Sequence, residues 1–329
     1  MTVSETLETA WKALRGETRS VPGVYERRVF GDSKYSLFVA ISHPAGLSQL
    51  VFVVSQRSAQ GRLDAETRGF KLHVEVSGDP SRARIRLEET HRAFRDLFEQ
   101  LSQDVVAAVL ASKTEELAVD SLCTRVAHWQ RFMERAGDGL SIIRQIGLYG
   151  ELYFLRKLIV AGCRSERAIE GWQGPLDANH DFMLGNVAVE VKSTASNIDT
   201  TISISNERQL DNTGVESLFL CHISFDRREH TTATLPALIE EIAGIIGSTL
   251  APVFEDRLLA AGYHRLQAGL YRDIGYTERK VTYYRVSGLF PRIVPSDLKT
   301  GVQEVEYRVQ VAAATSFVVL EPTIFSAIV

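Results

Sequence analysis

The sequence predicts an α/β protein of the α+β kind, with a mixed-sheet core between a β-rich N-terminal domain and an α+β C-terminal region. Three observations predict it. The first hundred residues alternate short strand-like segments with turn residues. Ser141–Phe225 then runs helix, hairpin, strand. A valine-rich segment inside that run, His180–Lys192, carries the period of two expected of strands on either side of a two-residue Gly-Asn turn.

Taken in order, Thr6–Leu14 is a short amphipathic stretch. Gly23–Phe30, Tyr35–Ser42, Gln49–Ser55, Phe70–Val76 and Ala83–Leu87 read as strands of an antiparallel sheet, parted by His43-Pro44-Ala45-Gly46 and Gly78-Asp79-Pro80. Arg82, Arg84 and Arg86 project from one face of the last of these, where a solvated face is the default reading. Phe94–Ala136 reads as helical, and Gly137-Asp138-Gly139 breaks it. The predicted domains are 1–136, 137–230 and 231–329.

In the second domain a helix is expected over Ser141–Val160, with Glu151 on or beside its apolar stripe. A carboxylate there is costly unless paired or bound to a cation. Gly147 and Gly150 lower helix propensity and admit a close backbone neighbour. After the hairpin, Ser193–Asn197 reads as a loop, Thr201–Ser205 as a strand, Asn206–Leu210 as the start of a helix carrying Gln209, and Ser217–Ser224 as a buried strand. The last domain offers helical character over Leu235–Leu250 and Phe254–Ala261, and strands at Val281–Val286 and Val302–Val311.

The 329 residues suffice for two or three modest domains, and the net charge of −4 argues against a protein that coats nucleic acid over its whole surface. A local basic cleft remains compatible with that charge. Cys123, Cys163 and Cys221 are widely spaced, which excludes a zinc ribbon and a disulfide framework and predicts free thiols. No charged-then-apolar leader opens the chain, and the apolar runs at Leu50–Val54 and Phe317–Leu320 are too short to cross a bilayer. A cytoplasmic protein, with no membrane partner, is expected.

The hairpin carries the chemistry. With Gly185-Asn186 as its loop, Leu184 pairs with Val187, Phe182 with Val189, and Asp181 lies across from Glu190. Ala188, Glu190 and Lys192 share one face and the valines the other. Like charges so placed repel, so Lys192 or a divalent metal is expected between the carboxylates. Acid-x-lysine triplets also occur at Asp32–Lys34, Glu278–Lys280 and Asp297–Lys299, so the triplet alone is weak; only Glu190–Lys192 follows a hairpin presenting another acid. The histidines show no metal-ligand spacing, and neither a phosphate loop nor a G-x-S-x-G elbow is present.

At Glu151, Asp181, Glu190 and Lys192 the chain resembles the PD-(D/E)XK nuclease superfamily: a glutamate on a helix, an aspartate opening a strand, and E-x-K on the next. His180 stands where the superfamily's proline usually does, and Gln209 falls where several members carry a supporting polar residue. The resemblance implies a restriction-endonuclease-like core and a metal-dependent DNA endonuclease. It implies Asp181, Glu190, Glu151 and the backbone carbonyl of Val191 as ligands of Mg²⁺, for which Mn²⁺ can substitute. Catalytic roles would fall to Asp181, Glu190, Lys192, Glu151 and Gln209. Phe290-Pro291-Arg292-Ile293 further resembles bacterial proteins encoded beside restriction or phage-defence genes. The expected partners are double-stranded DNA, a second copy of the chain and proteins of a defence system. Arg227-Arg228 and Arg279-Lys280 are candidate backbone contacts. Two rival readings use the same residues: a repair or recombination nuclease that reads DNA structure, and a catalytically silent scaffold.

Overall fold

The computed structural model describes residues 2–60, 64–76, 78–136, 139–196 and 200–328. It divides into two compact units, Met1–Gly137 and Asp138–Val329. The residues 137 and 138 of the expected helix break, and Asn197 of the expected loop, lie outside the described residues.

The first unit holds α1 (Val3–Gly16), β1 (Gly23–Val29), β2 (Ser36–His43), β3 (Ser48–Ser55), α2 (Gln56–Ala59), β4 (Ala65–Glu66), β5 (Phe70–Val76), β6 (Arg82–Glu89), α3 (Arg95–Ala111) and α4 (Glu115–Ala136). Its six strands pair antiparallel in the order β1-β2-β3-β6-β5-β4. The predicted run of helix from Phe94 is two helices, not one. The Ser112 hydroxyl bonds back to Ala108 O at 2.9 Å, and Thr114 Oγ1 accepts from Leu117 N at 3.3 Å, so one helix stops and the next is capped within three residues. Arg84 and Arg86 do not form a solvated stripe. Arg86 is buried and bonds Gln49 at 2.7 Å, Glu75 at 3.0 Å and Glu26 at 3.2 Å, while Arg84 also pairs with Glu26.

The second unit holds α5 (Ile142–Val160), α6 (Ser165–Gly171), β7 (Phe182–Leu184), β8 (Val187–Thr194), β9 (Thr201–Ile204), β10 (Ser217–Glu229), α7 (Leu235–Ala261), β11 (Ile274–Arg285), β12 (Tyr307–Gln310), β13 (Val318–Val319) and α8 (Glu321–Ile328). Its sheet has the order β13-β11-β10-β8-β7. The β8–β10 pair is parallel and the others are antiparallel, so the sheet is mixed. β9 and β12 form a separate two-stranded ribbon.

The expected boundary at 230 falls inside this unit. β11 pairs with β10 along nearly its whole length, and Leu235, Leu238, Ile239 and Ile242 of α7 lie in the same core as Leu152 and Leu155 of α5. α7 is long and apolar enough by length and composition to cross a membrane. It is nevertheless interrupted at Gly247, whose backbone leaves the helical region, and Phe254 and Leu258 beyond the break are buried in that core. The predicted strand over Val302–Val311 shortens to β12, and β10 extends past Ser224 to Glu229.

The two faces of β8 follow the predicted alternation. Val187, Val189 and Val191 enter the core beneath α5, whereas Ala188 belongs to a second cluster with Ile202, Ile204 and Leu210. Gly150 permits the close approach of α5 to β8: a Cβ there would stand 2.8 Å from the Cβ of Ser193. Gly147 has no such neighbour. Gly150→Ala is therefore expected to destabilise the protein by about 1–3 kcal/mol, the usual cost of overpacking a core, with Gly147→Ala neutral or slightly stabilising. Urea titration of both variants checks this, and equal midpoints would contradict it.

Candidate active site

Gly185 adopts φ +69°, the left-handed backbone that the first position of this hairpin turn demands. The register is as the turn dictates: Leu184 opposite Val187, Met183 opposite Ala188, Phe182 opposite Val189. Pairing stops there. Asp181 is not a ladder partner of Glu190, because its carbonyl turns away to accept from Gln173 N at 2.7 Å and Gly174 N at 3.0 Å. Its carboxylate instead swings toward β8, and Oδ2 accepts from Val191 N at 2.7 Å. In an extended strand the N–H and C=O of one residue point to the same side. The Val191 carbonyl thus faces the space left where β7 ends, as a metal-ligand role would require.

Glu190 and Lys192 share a face, and Lys192 Nζ lies 2.8 Å from Glu190 Oε1. The same ammonium donates to Gln209 Oε1 at 2.8 Å, and that oxygen also accepts from Ser205 N at 2.9 Å. Gln209 thus contacts Lys192, but the predicted helix around it is absent. Asn206–Leu210 is a run of turns, with Asn206 Oδ1 accepting from Arg208 N at 2.9 Å. Asparagine at such a position competes with helix by bonding its own backbone.

Glu151 projects from α5, where Trp172 Nε1 donates to its Oε2 at 2.7 Å. Trp172 is fully buried against Phe254. Gly174 completes the enclosure: a Cβ there would lie 2.7 Å from Glu151 Oε2 and 2.8 Å from Asp181 Oδ1, so the two oxygens flank one small space that only glycine leaves open. The segment Trp172–Gly174 thus grips both acids, one through the indole and the other through two backbone amides. No pattern in the sequence ties it to the acids; the glycines and Pro175 signal only a turn.

The electrostatics are those of a site short of positive charge. Burial, then the neighbouring Asp181 charge, push Glu190 up to about 8, with Lys192 pulling it back. Burial and Asp181 hold Glu151 well above the usual carboxylate range, and burial raises Asp181 against the pull of Lys192. Burial works against the Lys192 ammonium, but Glu190 and Asp181 outweigh it and raise its pKa, so it is charged at neutral pH. His180 is buried away from these groups, with Nε2 3.0 Å from Asp211 O, and burial lowers its pKa. It has the bearing of a structural residue.

The donor set suits a hard divalent cation. Among the described residues Glu190 Oε2 is a buried oxygen with no hydrogen-bond partner, an expensive state that a cation would relieve. No group of three or more His, Cys, Asp or Glu side chains among the described residues forms a ready-made cage. Mg²⁺ needs none, since it is held by one or two carboxylates and keeps several waters. Asp181, Glu190 and the Val191 carbonyl would hold it, with Glu151 reaching it through the space beside Gly174.

A helix-borne glutamate, an aspartate at the head of a strand and E-x-K on its partner, all on a mixed sheet, define the nuclease-like PD-(D/E)XK class. The chain belongs to the family described as "Putative PD-(D/E)XK family member, (DUF4420)", whose model matches residues 7–312. The match takes in both units, well beyond the stretch of core that carries the motif. No curated protein and no solved structure is similar enough to match.

Removing the indole donor tests the grip on Glu151. Trp172→Phe keeps the aromatic bulk and leaves one carboxylate without its hydrogen bond. Mn²⁺ affinity, read by calorimetry or electron paramagnetic resonance, is expected to fall about tenfold or more. Gly174→Ala should do the same by filling the space between the acids. Unchanged affinity in both would mean that the segment has no part in metal binding.

Proposed function

We propose that the protein is a divalent-metal-dependent DNA endonuclease, using Mg²⁺ or Mn²⁺, that cuts duplex DNA in a bacterial restriction or phage-defence system. It would act in the cytoplasm as a homodimer, since two cuts need two sites, together with partner proteins of that system. The observation that carries the reading is the orphaned Glu190 Oε2 beside Asp181, with Lys192 fastened between Glu190 and Gln209. A scaffold has no use for a buried acid pair whose charge is left unbalanced.

A bound cation would neutralise the scissile phosphate and lower the pKa of an attacking water. The chain's own residues supply the rest. Lys192, protonated and held by Gln209, orients the nucleophile and screens phosphate charge rather than accepting a proton. Glu190, which burial and Asp181 keep protonated up to about pH 8 while no cation is bound, would give up that proton to become a carboxylate ligand of the cation. Trp172 keeps Glu151 turned inward. The defence role rests on the resemblance. Arg227 and Arg228 lie near the end of β10 and Arg279 and Lys280 midway along β11, all beyond the level of Lys192, where they would meet a DNA backbone.

Incubation of methylated and unmethylated duplexes with the protein and Mg²⁺, Mn²⁺ or Ca²⁺ tests the proposal. Cleavage is expected with the first two and little with Ca²⁺, whose looser geometry positions a nucleophile poorly. Tight binding without product under any ion would favour the scaffold. Cutting that ignores methylation but follows DNA ends or branches would favour a repair enzyme.

A further inference from the structure

Away from the acidic site, the first unit carries a cleft of about 280 Å³ into which Arg15, Arg19, Arg92 and Arg95 converge, with Tyr25 and His43 beside them. The arginines come from two stretches far apart in the chain: the end of α1 with the segment after it, and the turn that leads into α3 with the first residue of α3. The fold, not a local run of basic residues, brings them together. One carboxylate, Glu17, also lines the cleft; it is engaged by Arg19 and by Arg27 at 2.6 Å.

The guanidiniums are held in place but not used up. Arg92 donates through Nε and Nη2 to the Ala45 carbonyl at 2.9 and 2.6 Å, a neutral acceptor that leaves its charge unpaired. Arg15 bonds Ser48 at 2.9 Å and Glu99 at 2.7 Å, and Arg95 bonds Gly46 O at 2.8 Å with Glu89 at 3.4 Å, all through Nη2. Arg19 lies over the Tyr25 ring, 4.2 Å from its centroid, and its Nε has no acceptor among the described residues. Each guanidinium carries five donors. All four Nη1 groups are left without a hydrogen bond among the described residues. Counting Arg27, five cations face three carboxylates, Glu17, Glu89 and Glu99, so the cleft is electropositive on a chain of net charge −4.

Fixed, forked donors around a bounded cleft suit a compact, doubly charged oxyanion. A diester backbone presents one charge per phosphate and is tracked by a stripe, not a cup. We propose that this cleft binds a phosphate monoester, carried either by a free nucleotide or by the 5′ end of a DNA strand. Tyr25 lines the same cleft and holds Arg19 over its ring, which fixes that guanidinium on the cleft wall. The proposal is independent of the nuclease reading and survives or fails without it.

Full-length protein in chelator, so that the acidic site takes no part, is titrated with a short fluorescent oligonucleotide bearing a 5′-phosphate or a 5′-hydroxyl. The phosphorylated strand is expected to bind at least about tenfold more tightly, the scale of one or two charged hydrogen bonds. The double variant Arg92→Gln/Arg95→Gln should erase that advantage while leaving the 5′-hydroxyl affinity unchanged. Arg19→Gln, on another wall, serves if the double variant melts below the wild type. Competition by dAMP against deoxyadenosine separates the sources: effective competition by dAMP alone assigns a free nucleotide, and phosphorylated strands binding without dAMP competition assign a strand end. No preference for the phosphate in either form, or a preference that persists in the variants, would overturn the proposal.

Discussion

Glu190→Gln is expected to abolish DNA cleavage, lowering the rate by about 100-fold or more while the fold survives. The substitution keeps the shape of a residue only 1 % exposed and removes an oxygen donor of the cation site. Even groups that merely orient metal ligands cost 10–100-fold when changed, so a direct ligand should cost at least the upper end, about 100-fold. Asp181→Asn should match it, because Asp181 ties the head of β7 to Val191 N and supplies the second oxygen. DNA binding in the absence of metal should persist in both variants. Circular dichroism and a gel-based cleavage assay read the two outcomes together. Loss of folding in both variants would instead mark the acids as structural.

The second large effect concerns stability against pH. Burial and Asp181 raise Glu190 from 4.5 in the unfolded chain to about 8 in the fold. Between those values the folded state holds a proton that the unfolded state has released, so unfolding gives off a proton and stability falls as pH rises. The contribution is fully present below the unfolded pKa and is lost as pH climbs through the folded one. Asp181 and Glu151 move in the same direction, while Lys192, raised from 10.5, titrates above this window. A tenfold difference in proton affinity between the two states is worth about 1.4 kcal/mol, so in chelator the loss from about pH 5 to pH 8.5 should reach a few kcal/mol. Glu190→Gln should flatten the slope and melt higher than the wild type at the alkaline end. Mg²⁺ should restore the wild type there by binding the folded state alone, and should do far less for the variant. Melting curves indifferent to pH, metal and substitution would remove the charge imbalance on which the site reading rests.

The sequence by itself determined the local parts of this protein. The Gly185-Asn186 turn and the alternating valines set the hairpin register, because side chains alternate on a strand and a two-residue loop leaves no slack. The same parity placed Glu190 and Lys192 together, and the helical spacing of α5 turned Glu151 inward. Ser141 capped that helix where it was expected to begin. What went astray was decided mostly by longer-range forces. Asn206 and its neighbours form turns in which a local competitor, the Asn206 side chain on Arg208 N, is joined by the contact of Gln209 with Lys192 of β8. The stretch after 230 joins the core because β11 completes the edge of β10, a pairing across some fifty residues that no window of sequence reveals. Arg84 and Arg86 of β6 find Glu26 of β1 and Glu75 of β5 only once the sheet β1-β2-β3-β6-β5 is assembled. Tertiary structure alone also decided how the acids are held. Asp181 leaves the ladder for Val191 N, Trp172 closes on Glu151, and Gly174 keeps open the space between them. Those contacts join residues from a helix, a turn and a strand, and what they cost in desolvated charge can be read only where the three meet.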